Sequence, residues 1–190
     1  MANKVVFGLE NVYVAMITDE DTPTYGTPTH IPGAVNLTLS PEGDSSTFYA
    51  DNVAYYTSTQ NNGYTGELEM ALVPDSVLAD MLGWGIDDAD MLVEIADAEP
   101  TPFALMFEVT GNDVNKRYVL YKCVASRPKE EHATKGEKSD PATTTLALTI
   151  TPIDIDTTLV VKGAIERSLS NAATYDAWFN AVYTPVTIVS

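Results

Sequence analysis

Apolar and polar residues alternate with a period of two over much of this chain. That is the repeat of a β-strand with one face buried. Within residues 66–73, Leu68, Met70 and Leu72 fall on one side, and Glu67, Glu69 and Ala71 on the other. Residues 34–40 alternate Val35, Leu37 and Leu39 with Asn36, Thr38 and Ser40. Residues 103–110 place Phe103, Leu105, Phe107 and Val109 on a common face, and residues 144–151 do the same with Leu146, Leu148 and Ile150. Further strands are expected at 5–18, 91–95, 117–125 and 158–165, all rich in β-branched and aromatic residues.

Two segments follow a helical period instead. Pro74-Asp75-Ser76 reads as a helix start, followed by Val77, Leu78, Met81 and Leu82 on one stripe and Gly83 as the stop. Near the end, residues 171–183 place Tyr175, Trp178, Phe179 and Val182 on one face, and Pro185 follows. Both stripes have the spacing of packing surfaces against a sheet. The fold class expected is mainly β: two packed sheets, sandwich- or barrel-like, with a flanking helix and a C-terminal helix, in a single domain over 1–190.

Two stretches lack a clear period. Residues 41–63 form a long polar connection that carries Asp44, Phe48, Tyr49, Asp51, Tyr55 and Tyr56. Rings on a polar loop suit a protein contact, because they offer area at low entropic cost. The same stretch also reads as an irregular strand or hairpin folded onto its own domain. Residues 127–143 are rich in Lys, Glu, Gly and Pro, and they read as a mobile excursion.

Charge narrows the function classes. Ten Lys and Arg face 27 Asp and Glu, a net charge of −17. A chain this acidic is a poor binder of phosphate backbones or anionic membranes. The charge is also uneven. Residues 1–115 hold Lys4 as their only cation against 19 acids, whereas 116–190 hold nine cations against eight acids. Such asymmetry suits head-to-tail stacking of identical copies, and a single solvated charged loop also accounts for the cations. Cys123 is the only cysteine, so no intramolecular disulfide forms, as in proteins made in a reducing cytosol. The apolar run at 5–9 is too short for a signal-peptide core or a membrane span, so a soluble product without a Sec-type signal is expected.

Candidate chemistry is sparse. His30 and His132 have no cysteine nearby and no partner at i+4. Cys123 alternates with Tyr121 and Ala125 along a strand and has no local cation to lower its pKa. Asp87-Asp88-Ala89-Asp90 lacks the alternating ligands and terminal Glu of a calcium loop. Glu67 and Glu69 stand about 6.5–7 Å apart along one strand face, within glycosidase range, yet no aromatic cleft pattern flanks them. No catalytic residue, metal site or cofactor is assigned, and an enzyme is not expected.

Several stretches taken in order carry a likeness. They are Lys4-Val5-Val6-Phe7-Gly8-Leu9-Glu10-Asn11-Val12, Ile31-Pro32-Gly33-Ala34-Val35, Thr47-Phe48-Tyr49-Ala50-Asp51-Asn52 and Asn61-Asn62-Gly63-Tyr64-Thr65-Gly66-Glu67-Leu68-Glu69. Later come Pro102-Phe103-Ala104-Leu105, Leu120-Tyr121-Lys122-Cys123-Val124-Ala125-Ser126-Arg127-Pro128 and Trp178-Phe179-Asn180-Ala181-Val182-Tyr183. As an ordered set, this resembles the major tail proteins of long, non-contractile-tailed bacteriophages of Gram-positive hosts. The resemblance implies a tail tube protein whose hexameric rings stack into a hollow conduit for the genome. It places the protein in the virion tail after synthesis in the host cytoplasm. It implies contacts with copies of itself, the tape measure protein, the tail terminator and the distal tail protein, with DNA passing unbound. The immunoglobulin-like domain of some relatives is not expected here.

On this reading Asn36, Thr38, Ser40, Glu67 and Glu69 face the lumen, where carboxylates repel phosphate. The 41–63 loop reaches a neighbouring subunit or ring. Two other readings remain open: a β-sandwich adhesion or carbohydrate-binding module, and a tube protein of a contractile tail or type VI-like system.

Overall fold

The computed structural model describes residues 5–50, 53–111, 113–129 and 142–186. In chain order the first strands are β1 (Val6–Asp19), β2 (Thr24–Tyr25), β3 (Thr29–Ile31), β4 (Ala34–Glu42), β5 (Ser45–Ala50), β6 (Val53–Thr59) and β7 (Gly63–Met70). Helix α1 (Asp75–Leu82) follows, then β8 (Gly85–Ile86), β9 (Leu92–Val93), β10 (Phe103–Gly111) and β11 (Lys116–Ala125). The chain continues through β12 (Thr144–Ile150), β13 (Ile153–Ile155), β14 (Thr158–Val160), β15 (Lys162–Glu166) and helix α2 (Ala172–Asp176).

Nine strands form one antiparallel sheet in the order β2-β1-β10-β11-β12-β7-β4, with β3 added to β1 and β15 added to β11. The mainly β fold expected from sequence takes the form of this one large antiparallel sheet with three two-stranded sheets beside it, β5-β6, β8-β9 and β13-β14. β11 changes partner along its length. Lys116–Leu120 pair with β15, whereas Cys123–Ala125 pair with β12.

A main core lies on one side of this sheet. It joins Val12, Val14 and Ile31 to Leu68, Met70, Phe103, Leu105, Leu120, Leu146, Leu148 and Ile150. Helix α1 contributes Val77, Met81 and Leu82 to that core. The helix starts at Pro74, whose carbonyl accepts the amides of Val77 (2.9 Å) and Leu78 (3.1 Å), and stops at Gly83 in the left-handed conformation. Asp75 in the first turn complements the positive end of the helix.

A second core covers the other face of the β1-β10-β11 region. Ala104, Met106, Val119 and Tyr121 meet Ile17, Ile153, Ile155 and Trp178 there. Thus β10 is buried on both faces, and its residues from Phe103 to Glu108 are all sequestered. Among the described residues, none covers the outer face of the β12-β7-β4 region in this way. Its strands show the one-sided pattern of alternating buried and exposed residues, clearest in β12.

Several sequence expectations need correction. The first predicted strand set holds at Leu68 and Met70, but β7 ends at Met70 and Leu72 is 70% exposed. The Ala71 amide bonds the Gly33 carbonyl (2.7 Å) as the chain leaves the sheet. Val35 does not share the face of Leu37 and Leu39, because a register shift between Ala34 and Asn36 turns it outward. The strand expected at 158–165 is broken at buried Val161, and the strand expected at 91–95 shrinks to Leu92–Val93. The C-terminal helix spans only Ala172–Asp176, yet Tyr175 and Trp178 are buried as their spacing predicted.

Candidate assembly surfaces

Backbone pairing brings the five predicted lumen residues onto one patch. Asn36 stands opposite Glu69 and Thr38 opposite Glu67. On the far side of β7, Thr145 faces Glu69 and Ala147 faces Glu67. Ser40 pairs with Thr65, whose hydroxyl donates to Glu42 Oε1 at 2.9 Å. Directly paired residues point to the same side of an antiparallel sheet. Asn36, Thr38, Ser40 and Glu67 are exposed, and Glu69 is half-buried and accepts from Thr143 Oγ1 at 2.7 Å. The opposite faces of the same strands send Leu37, Leu39, Leu68, Leu146 and Leu148 into the main core. The result is a hydroxyl- and carboxylate-bearing surface backed by a rigid apolar layer. Among the described residues β4 pairs only with β7, so its other edge carries no strand.

The stretch at 41–63 is not a loop. It is a β-hairpin, β5 paired with β6, that continues the β4–β7 ladder. The Asn62 amide bonds the Glu42 carbonyl and the Gln60 amide bonds the Asp44 carbonyl, both at 2.9 Å, so the two ribbons run on without a break. Gly43 permits this approach, since a Cβ there would lie 2.0 Å from the Gln60 carbonyl oxygen. Beyond the sheet, β5 and β6 are paired with each other in a two-stranded ribbon. Eight residues at strand rise give an arm of about 25 Å. Tyr55 is 74% exposed, Tyr56 63% and Val53 58%. Asp44 is exposed at the base. Phe48 and Tyr49 lie on β5, with Phe48 opposite Tyr56 and Tyr49 opposite Ala54. Asp51 lies outside the described residues, as does most of the predicted excursion at 127–143, His132 included.

A groove of about 520 Å³ opens near Tyr121, where β11 passes from one partner to the other. One wall is Thr158–Ile165, and Asn61, Tyr64, Trp178 and Tyr183 complete it. Among the described residues Lys162 is the one charged residue lining it, and its Nζ sits 4.9 Å from the centre of the Tyr64 ring. Tyr121 donates to the Tyr183 carbonyl at 3.1 Å, and burial pushes its phenol pKa up to about 12, with Tyr183 adding to the shift.

A buried ion pair anchors the C-terminal segment. Glu108 and Arg117 are directly paired across β10 and β11, and Glu108 is only 3% exposed. Arg117 Nε donates to Glu108 Oε2, and its Nη1 donates to the Tyr175 carbonyl. The guanidinium stacks 3.9 Å from the Tyr175 ring centre and 4.8 Å from that of Phe179. Asn115 Nδ2 donates to Glu108 Oε1 at 2.7 Å, and Tyr175 Oη donates to the Asn115 carbonyl at 3.0 Å.

The remaining sequence candidates have structural roles on the page. Cys123 is fully buried, and burial raises its thiol pKa. Asp87 Oδ1 accepts the amides of Ala89 (2.8 Å) and Met91 (2.9 Å), which closes a turn. His30 packs against Tyr13 with ring centres 4.8 Å apart. Among the described residues no group of three His, Cys, Asp or Glu side chains is placed to hold a metal ion, and no helix is long and apolar enough to cross a membrane.

No protein-family model matches this chain, and no curated protein matches it significantly. Among solved structures it is similar to the tube terminating cap of the anti-feeding prophage, solved by cryo-electron microscopy. The TM-score is 0.53 at 9% sequence identity, with 88% of this chain and 95% of that chain covered. At that identity the likeness shows a shared fold, one also found in a phage-like tail component.

Proposed function

We propose that this chain is a structural subunit of a phage-type tail, assembling with copies of itself into hexameric rings that stack as a tail tube. The observation that carries the reading is the one-sided β12-β7-β4 region. It has a leucine-lined inner face, a polar outer face with Glu67 and Glu69, and, among the described residues, an unpaired nine-residue edge at β4. A long bare edge is a hazard in a monomer, and closure of a ring of copies removes it. Joined edge to edge, such sheets form a wide barrel whose interior admits water. The patch of Asn36, Thr38, Ser40, Glu67 and Glu69 then lines the bore. Six copies at −17 each give a ring that repels phosphate, so DNA slides without adhering.

The hairpin arm reaches the adjacent subunit or ring through Tyr55 and Tyr56. In the tail of a long, non-contractile phage, the other contacts are the tape measure protein inside and the terminator and distal tail proteins at the two ends. The test is negative-stain microscopy of the concentrated protein, supported by sedimentation. Hollow tubes or stacked rings support the reading. A strict monomer that binds sugars favours an adhesion module instead.

A second reading has its own support in the likeness to a tube terminating cap. On that reading the chain forms a single ring that ends a tube, in a contractile or phage-like particle. Microscopy separates the two, since a tube subunit grows without limit and a cap stops at one ring. A sheath gene beside this one would favour the contractile setting.

A further inference from the structure

We infer that the groove beside Lys162 is the docking site for the hairpin arm of a second copy of this chain. This rests on the self-assembly reading and adds the surface that receives the arm. The two surfaces match in three respects.

The first is charge. Residues 41–63 hold Glu42, Asp44 and Asp51 and no Lys or Arg. Most of the molecule repels such a segment, because residues 1–115 offer Lys4 alone as a cation. The polar face of β4 and β7 presents Glu67 and Glu69 to it, again of like sign. Among the described residues the groove is lined by Lys162 and no acid.

The second is apolar surface. The arm leaves Val53, Tyr55 and Tyr56 uncovered, and the groove offers Leu159 (72% exposed), Tyr183 (43% exposed) and the half-buried Tyr64. Rings meeting rings and an aliphatic wall, with an ammonium at the rim, form the usual centre of a protein contact. The third is backbone. Among the described residues β15 pairs only with β11, so the groove side has a strand edge that can take up an incoming strand.

The groove begins at Asn61, at the base of the same chain's arm. An arm of about 25 Å leads away from its own groove, so the groove it fills belongs to another copy. Each subunit then both gives an arm and receives one, a heterologous contact that propagates from copy to copy.

The experiment is engineered cross-linking in assembled protein. Tyr55→Cys is combined with Leu159→Cys in the groove, or with Leu169→Cys, an exposed control outside it. The native Cys123 is buried and does not compete. The groove pair is expected to give a ladder of covalent multimers on mild oxidation, roughly tenfold above the control pair, because docking raises the effective concentration. Adding Lys162→Glu is expected to lower that yield by about fivefold, the scale of one exposed charge pair. Assemblies that form normally while both pairs cross-link equally overturn the inference and leave the assembly reading intact. A cross-link confined to single chains overturns it too, by showing the arm on its own groove. No assembly at any concentration removes both.

Discussion

Replacing Arg117 with Met should cost this domain more than most core truncations. The substitution keeps an apolar stem between Tyr175 and Phe179 but leaves the Glu108 carboxylate, 3% exposed, with Asn115 Nδ2 as its remaining hydrogen-bond donor. Removing one partner of a buried pair typically costs about 3–5 kcal/mol, because the remaining charge stays in a medium that solvates it poorly. The Tyr175 carbonyl loses its guanidinium donor as well, a further loss of about 1 kcal/mol. For a chain of this length, each kcal/mol lowers Tm by roughly 2–4 °C, so a fall of about 8–24 °C is expected. Urea unfolding followed by circular dichroism gives the free energy, and the fluorescence of Trp178, buried in the second core, reports that side of the sheet. The double variant Glu108→Leu/Arg117→Met removes both charges. It should recover most of the loss and remain about 1–2 kcal/mol below the parent, because the Tyr175 carbonyl is still without its partner. A single variant that loses less than about 1 kcal/mol would refute the claim that this pair holds the C-terminal segment on the sheet.

Other expectations follow from single positions. Gly63 sits at φ +105°, and a Cβ there would lie 1.9 Å from the Ile150 carbonyl oxygen, so Gly63→Ala should destabilise the fold by at least about 2 kcal/mol in the same unfolding assay. Tyr121 is neutral in the fold up to about pH 12 but ionises near pH 10 when unfolded. Its contribution is therefore complete below pH 10 and should fade between pH 10 and 12, visible as a falling Tm across that window. Cys123 should resist aromatic disulfide reagents at pH 8 in the native protein and react promptly in denaturant. Tyr55→Ser/Tyr56→Ser should change monomer stability by less than about 0.5 kcal/mol, since both rings are exposed, while abolishing assembly seen by sedimentation.

The strands that shape the core were legible in sequence because each has at least one buried face. Leu146, Leu148 and Ile150 alternate with polar or small residues, and Leu68 and Met70 alternate with glutamates, as a single covered side requires. Helix α1 was equally legible, with a proline start, a stripe and a glycine stop. The hairpin arm was legible only as the alternative to a loop. Polar residues break any period of two in Ser45–Ala50 and Val53–Thr59, and the described Val53, Tyr55 and Tyr56 are exposed, so the stretch reads first as a polar loop. Val35 was misplaced because one bulge reverses the faces of the residues before it, and a bulge has no clear sequence mark at Gly33-Ala34.

The Glu108–Arg117 pair was missed although a signal existed. Glu108 falls on the same side of β10 as Ala104 and Met106, so an acid there stands in an apolar row. That pattern asks for a buried cation, and the next strand supplies Arg117 directly opposite. The polar patch was better served. Period-two alternation placed Asn36, Thr38, Ser40, Glu67 and Glu69 on outward faces, and only the pairing register could show that β4 and β7 set them side by side.

The most direct measurement is a cryo-electron microscopy reconstruction of whatever this protein forms at high concentration. The account predicts a hollow polymer of six-membered rings, its bore carrying Glu67 and Glu69 and its β4 edge joined to the next subunit. A bore lined by cations, those glutamates on the outside of the particle, or β4 edges left bare in the finished assembly would contradict it.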